Sequence, residues 1–315
     1  MEQLFFSLNA TLPIFLIMFL GYFLKQIKMV DPHFIKVLNK FNYTVTLPVL
    51  IFRDISQSDF FSVWDTKYVL FCFLVTLFCI IAIWAITGLS LKSKELSGEF
   101  VQASYRSSAA VMGIAFIQNI YGDSGMAPLM IIGTVPLYNI AAVLILSFTG
   151  PQGKGLHRDT LKKTFWGILT NPIILGIFAG MFVSILRLDF PLFLDKTIHN
   201  VAGLATPLAL IGLGAGFEGR KAIKLVKPTF AATLIKLILL PVLFLPLGIL
   251  LGFRQEMLIA SLVMLGAPTT PSCYIMARNM GHDGVLTSGT VVATTFFSSI
   301  TLTLALFILK SLGYV

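Results

Sequence analysis

The sequence predicts an all-α polytopic membrane protein whose ten transmembrane helices form two inverted five-helix repeats, with helices 4 and 9 broken and crossed. Three observations lead there. Hydrophobic residues make up 57% of the 315 and charged residues 12%, with a mean hydropathy of +0.89, a composition suited to lipid rather than to a soluble core. Apolar segments long enough to span a hydrocarbon core, which takes roughly 20 residues of helix, recur along the whole chain. The third observation is that the two halves match at a constant offset.

The apolar segments, spans 1 to 10, cover 8 to 24, 37 to 53, 68 to 90, 98 to 119, 127 to 148, 165 to 186, 198 to 216, 228 to 250, 257 to 279 and 284 to 309. Spans 2 and 7 are the least apolar and should face protein more than lipid. Met1 to Ala10 lacks the basic region of a cleavable signal, so span 1 reads as a retained helix. Cys72, Cys79 and Cys273 lie in apolar segments without metal-ligand spacing, which supports neither a disulfide framework nor a zinc site. They read as packing residues.

Lysine and arginine sort by face. The loops after spans 1, 3, 5, 7 and 9 carry 15 of the 23 basic residues and the opposite loops carry 6, while Arg106 and Lys236 lie inside spans. The positive-inside rule puts the richer loops in the cytoplasm and both termini outside, as expected of a multi-pass protein of the cell (inner) membrane. The same loops account for the net charge of +9, so no nucleic acid partner is expected.

The repeat keeps one register without gaps. Pro13 pairs with Pro172, Gly21 with Gly180, Phe23 with Phe182, Pro32 with Pro191, Pro48 with Pro207, and Gly122 with Gly281, each 159 residues apart. Residues 1–148 form the first repeat, 149–164 a short cytoplasmic linker and 165–315 the second repeat. An odd number of spans per repeat inverts the second relative to the first, an arrangement used by secondary transporters.

The stretch Gly266 to Gly281, most of it in span 9, sets Pro268 and Pro271 among Ala267, Thr269, Thr270 and Ser272. Each proline removes an amide donor and its ring clashes with the preceding turn, so the helix should break. Irregular backbone at membrane depth is tolerated where protein or a watery cavity satisfies it, which marks a binding site. The plainer reading is a proline kink. Shifting by 159 residues gives Ser107 to Gly122 in span 4, where Ser107, Ser108, Ala109, Ala110 and Gly113 again cluster small residues. Two such breaks crossing near the midplane would aim free amides and the positive ends of helix dipoles at one point, a place for an anion. Small residues are also common at ordinary membrane helix contacts.

Arg106 immediately precedes the predicted break, about 12 Å along span 4 at ~1.5 Å per residue. Its planar fork suits a carboxylate; equally, it could snorkel or pair with Glu95 or Glu99. Lys236 in span 8 could balance backbone carbonyls at the crossing or snorkel. No acidic residue lies deep in a span, so coupling, if there is any, would use sodium held by carbonyls and hydroxyls, or anion exchange, or the membrane potential alone. Asn39 and Asn42 in span 2, Thr134, Tyr138 and Asn139 in span 5, Asn171 in span 6, and Thr294, Thr295, Ser298 and Ser299 in span 10 are further polar candidates, Asn139 first among them; each could instead be an interhelical hydrogen bond.

No enzyme is read here. His33, His157, His199 and His282 sit at loops or span ends without ligand spacing, and the chain has no H-E-x-x-H, G-x-S-x-G or Walker sequence. No cofactor and no metal are expected, sodium coupling apart.

The opening LPIFLIMFLGYFLKQIKMV, LPVLIF of span 2, VQASYRSSAAVMGIAFIQNIYG of span 4, KLILLPV of span 8 and GAPTTPSCYIMA of span 9 together resemble the auxin efflux carrier family, which includes the plant PIN proteins and bacterial members associated with malate and malonate. The resemblance covers essentially the whole chain. It implies a fold similar to the sodium/proton antiporter NhaA and the bile acid transporters, with a scaffold domain (spans 1, 2, 6 and 7) and a transport domain (spans 3 to 5 and 8 to 10) that moves as an elevator. Plant members resemble one another in a Leu-Pro-Asn at the span 4 crossover and a long central loop. Here Arg106-Ser107-Ser108 and a short linker stand instead, which favours a small organic acid over auxin. The resulting expectation is a secondary transporter of small organic anions in the lipid bilayer, with Arg106, Ser107, Ser108, Gly113, Asn139, Pro268, Thr269, Thr270, Pro271 and Ser272 at the substrate. A homodimer through span 2 or 7 would anchor the scaffold. The alternatives are a sodium-coupled carrier of a larger organic anion and a non-transporting membrane sensor.

Overall fold

The computed structural model describes residues 2–57, 64–91, 93–109, 117, 120, 121, 126–150, 166, 167 and 169–315. Among these the regular structure is helical. The first half contains α1 (Glu2–Gln26), α2 (Pro32–Phe41), α3 (Leu47–Ser56), α4 (Thr66–Ser90), α5 (Lys94–Tyr105) and α6 (Ala127–Thr149). The second contains α7 (Pro172–Ile185), α8 (Leu192–Gly216), the short α9 (Gly219–Lys224), α10 (Val226–Leu234), α11 (Leu240–Leu250), α12 (Glu256–Gly266), α13 (Ser272–Asn279) and α14 (Val285–Ser311). Among the described residues five stretches are long and apolar enough to cross a membrane: α4, α6, α8, the continuous Val226–Leu250 and α14. Leu12–Gln26 of α1, α7 and α12 are shorter apolar helices.

Local chemistry sets the boundaries. Asp31 accepts from the Phe34 amide at 2.7 Å and Asp65 from the Tyr68 amide at 2.9 Å, capping α2 and α4. Span 6 was expected from residue 165, but α7 starts at Pro172. The Asn171 side chain accepts from the Ile173 amide at 3.0 Å, and Pro172 lacks the amide that a first helical residue leaves unpaired. Pro191 likewise lets α8 begin at Leu192, six residues ahead of the expected start of span 7.

Two π turns interrupt the helices. Asn42–Thr46 joins α2 to α3, and Ile235–Leu239 joins α10 to α11. Both run into the same tetrapeptide, Leu-Pro-Val-Leu, beginning at Leu47 and at Leu240. A proline ring crowds the carbonyl four residues back, and a wider turn relieves it. The Leu47 amide accordingly bonds to Asn42 and the Leu240 amide to Ile235, each five residues back.

Glycine lets the backbones of two helix pairs touch. On α1, a Cβ at Gly21 would strike the Ile211 carbonyl of α8; on α7, a Cβ at Gly180 would lie 2.8 Å from the Phe52 carbonyl of α3. Gly180 and Ile211 follow Gly21 and Phe52 by the same 159 residues, so the two contacts are equivalent under the offset.

The apolar interior divides into two main clusters. One is built by α4, α5, α6, α10, α11, α12 and α14 around Tyr68, Met130, Ile145, Leu258 and Leu286. The other gathers Met18, Leu47, Ile173, Leu210 and Leu213 from α1, α3, α7 and α8 against inner faces of α6, α13 and α14. Polar contacts tie neighbouring helix ends. At one end His282 Nε2 meets the Leu146 carbonyl at 3.0 Å, and Lys221 reaches Glu218 at 3.0 Å and Asp283 at 3.9 Å. At another, Lys67 donates to the Leu251 carbonyl at 2.6 Å and the Gln255 amide to the Tyr314 carbonyl at 2.9 Å.

Candidate functional site

Helix α5 stops at Tyr105. Arg106 is extended (φ −68°, ψ 136°), and Ser107 and Ser108 follow it outside any helix. In span 9, α12 stops at Gly266, Ala267 is extended (φ −70°, ψ 157°), and Pro268, Thr269 and Thr270 lead to Pro271 and α13. The two irregular segments meet, with the Ser108 amide donating to the Pro268 carbonyl at 2.9 Å. Gly113 lies outside the described residues.

A helix that ends inside protein leaves carbonyls needing donors. Side chains from across the crossing supply them. Ser107 Oγ donates to the Val263 and Ala267 carbonyls at 2.9 and 3.3 Å, and Thr269 Oγ1 to the Ala103 carbonyl at 2.7 Å. Gln102 Nε2 donates to the Cys273 carbonyl at 3.0 Å, and Tyr138 Oη to the Met264 carbonyl at 3.1 Å. Lys236, completely buried, donates to the Met264 and Leu265 carbonyls at 3.3 and 2.7 Å. Its expected alternatives were balancing carbonyls or snorkelling, and it balances carbonyls.

Arg106 is 3% exposed. Its Nη2 donates to Asn139 Oδ1 at 2.8 Å and to Ser272 Oγ at 2.9 Å, its Nη1 approaches Met276 Sδ at 2.7 Å, and its Nε has no hydrogen-bond partner. Among the described residues no carboxylate is paired with it. Glu99 is fully buried but engaged elsewhere, accepting from the Gly284 amide (2.7 Å), the Thr287 amide (3.0 Å) and Thr287 Oγ1 (2.7 Å). Pairing of Arg106 with Glu99 is thereby corrected: the carboxylate is drawn to the amides opening α14. The positive N-terminus of α13 faces the same guanidinium, since Ser272 is its first residue and no side chain caps it. The C-terminus of α5, where Arg106 caps the helix, offers a partial negative charge in return.

Asn139 is fixed from both sides: Nδ2 donates to the Val135 carbonyl at 2.9 Å, which turns Oδ1 toward Arg106. Thr270 Oγ1 lies 3.2 Å from Ser272 Oγ. Ser108, Thr270 and Pro271 are half-buried, so the crossing has an accessible edge beside the buried Arg106. Arg106, Ser272, Thr270 and Asn139 thus form one constellation of donors and hydroxyls. Ser107, Pro268 and Thr269 belong to the frame that holds it.

Other expected lining residues serve the fold. Asn171 caps α7 and donates to Tyr43 Oη at 2.6 Å, and Asn42 donates to the Ala205 carbonyl at 3.0 Å. Thr134, Thr295, Ser298 and Ser299 donate back to carbonyls of their own helices, while Thr294 Oγ1 accepts from the Thr269 amide at 3.0 Å. The backbone of Asn39, rather than its side chain, accepts from Asn279 Nδ2 at 3.0 Å. Gln102 and Met276 join the crossing without having been expected there, and Tyr138, one of the polar candidates of span 5, joins it through the Met264 carbonyl. For Gln102 the signal was available, a polar residue one helical turn before Arg106; for Met276 there was none. The three cysteines are free and buried, and among the described residues no group of His, Cys, Asp or Glu assembles to hold a metal.

Comparison with known proteins agrees with a transport role. A family model described as "Membrane transport protein" matches residues 6–306. A protein of Rhizobium meliloti (strain 1021) named "Putative malonate transporter" is 24% identical over 315 residues, covering 96% of each chain. An "Uncharacterized transporter" of Methanothermobacter thermautotrophicus is 22% identical over 306 residues, covering 95% of this chain and 97% of that one. With the match running over nearly its whole length, the chain belongs to the membrane transport protein family, that of the auxin efflux carriers.

Proposed function

We propose that the protein is a secondary transporter of small organic anions and that the substrate carboxylate is held by Arg106 and the start of α13. The observation that carries this reading is the state of Arg106. A guanidinium removed from water is costly unless a counter-charge meets it. Here its hydrogen bonds go to neutral groups, its Nε is unsatisfied, and a helix N-terminus adds further positive potential. An anion arriving from outside supplies what is missing. The malonate name of the Rhizobium relative, whose alignment covers nearly the full length of both chains, supports a carboxylate as that anion.

In this reading the chain crosses the membrane ten times as two inverted repeats, with the odd loops cytoplasmic and both termini outside. The equivalence of the Gly21–Ile211 and Gly180–Phe52 contacts under the 159 offset supports the repeat. The two apolar clusters support a scaffold of spans 1, 2, 6 and 7 against a transport domain of spans 3 to 5 and 8 to 10. The half-helices, Arg106 and Asn139 all ride on the second group, so an elevator movement would carry the anion with its site.

The test is counterflow of labelled malonate, malate and an aromatic acid in proteoliposomes, comparing the wild type with Arg106→Ala and Pro271→Ala. Saturable exchange of a carboxylate, lost by at least tenfold (about 1.4 kcal/mol or more) in well-folded Arg106→Ala, is the expected result. No exchange of any of the three acids, or normal exchange without Arg106, would overturn the reading.

A further inference from the structure

Lys236 is the second buried cation of the crossing, and the anion site leaves it unexplained. The π turn Ile235–Leu239 carries it inward, and its whole side chain is inaccessible. Nζ lies 2.7 Å from the Leu265 carbonyl and 3.3 Å from that of Met264, among the last carbonyls of α12 before the break. Among the described residues no carboxylate is paired with it. A positive charge is therefore held by backbone carbonyls at the negative end of a broken half-helix. Broken transporter helices use that arrangement to coordinate an alkali cation.

We propose that Lys236 is a built-in cation: its ammonium takes the place between the α12 carbonyls that a coupling cation would otherwise fill, so the protein neither binds nor requires sodium there. The geometry excludes the two together. Leu265 and Met264, with Thr76, Cys79, Tyr105, Tyr138 and Leu240, line a small space with room for about one water molecule. A sodium ion coordinated by the same Met264 and Leu265 oxygens would stand at close range to the ammonium, and among the described residues no carboxylate is paired with Lys236 to offset the repulsion. A tethered amine also holds the end of α12 in every step of a transport cycle, whereas a bound ion must arrive and leave.

The test begins with the purified full-length protein and needs no substrate, so it stands apart from the anion reading. Thermal unfolding is followed in sodium chloride and in choline chloride at equal ionic strength, with and without n-propylammonium, the fragment that Lys236→Ala removes. The wild type should unfold at the same temperature in both salts. Lys236→Ala should unfold several degrees lower and recover in sodium or propylammonium over choline, because a ligand that binds only the folded state raises its stability. Lys236→Met, which fills the space with an apolar chain, should be lowered and not recover. Should Lys236→Ala fail to fold, Lys236→Ser, which opens the same space and keeps only a small hydroxyl, carries the same comparison.

Sodium-specific stabilisation of the wild type would overturn the proposal, as would a Lys236→Ala variant that is unaffected by loss of the charge or is lowered without cation-dependent recovery. The transport consequence rests on the anion-carrier reading: counterflow should be unchanged when choline replaces sodium in the wild type and become sodium-dependent in Lys236→Ala. A merely structural lysine predicts no such gain. Absence of flux altogether would count against the carrier reading and leave the unfolding comparison to decide the role of Lys236.

Discussion

Glu99 and Thr287 form a double contact: one carboxylate oxygen accepts from both the amide and the hydroxyl of Thr287, at 3.0 and 2.7 Å. The other oxygen takes the Gly284 amide at 2.7 Å, so a fully buried charge is met by three donors at the start of α14. Replacing it with Gln turns a donor toward donors, and hydrogen bonds to charged groups are worth about 1.5–3 kcal/mol each. Glu99→Gln should therefore lower the unfolding midpoint in detergent by several degrees. An unchanged midpoint would show that α14 does not depend on this cap.

Thr269 and Thr270 are neighbours with separate roles. The Thr269 hydroxyl is spent on the Ala103 carbonyl, whereas Thr270 is half-buried beside Ser272. Thr269→Val keeps the shape and leaves a buried carbonyl without its donor, a loss of about 1–3 kcal/mol in stability. Its KM for the transported acid should stay near that of the wild type. Thr270→Val should reverse the pattern, raising KM with little change in the unfolding temperature. Equal effects of the two on KM would remove the distinction.

Glycine at the backbone contacts makes a third expectation. Adding a methyl group at Gly21 or Gly180 forces α1 from α8 or α7 from α3, since each Cβ would meet a carbonyl that cannot rotate away. Overpacking of this kind costs about 1–3 kcal/mol. Gly203, on the same helix as Ile211 but with nothing within 4 Å of its would-be Cβ, is the control. Gly203→Ala should be neutral or stabilise by up to ~1 kcal/mol through helix propensity. Unfolding of the three variants side by side distinguishes close packing from a general intolerance of alanine.

The position of the crossing was legible because proline chemistry is local: Pro268 and Pro271 disrupt span 9 wherever the chain goes. The 159 offset pointed to the stretch beginning at Ser107, and Ser107 and Ser108 do lie outside any helix, without any proline in span 4. Partners across the crossing were another matter. Nothing near Lys236 in sequence points to Leu265, and nothing near Thr269 points to Ala103, because these bonds answer carbonyls freed by a tertiary arrangement. Asn171 stood open between a lining residue and an interhelical hydrogen bond, and it makes the latter to Tyr43 Oη. Its second role was legible too, since Asn before Pro at the head of an apolar run is a helix start.

Ser272→Asp tests the anion site from within. Aspartate at the first residue of α13 is favoured by the helix dipole, and the Ser272 oxygen already accepts from Arg106 Nη2 at 2.9 Å. A carboxylate there would give the guanidinium the permanent partner it lacks, removing the penalty of an unpaired buried charge. The expected outcome has two parts: the unfolding temperature is held or raised, while exchange of organic anions falls by at least tenfold, about 1.4 kcal/mol in transition-state terms. Ser272→Asn, nearly the same in size but uncharged, should retain more exchange than the aspartate. If both variants lose exchange equally, crowding rather than charge explains the loss; if Ser272→Asp transports normally, the anion does not bind at Arg106.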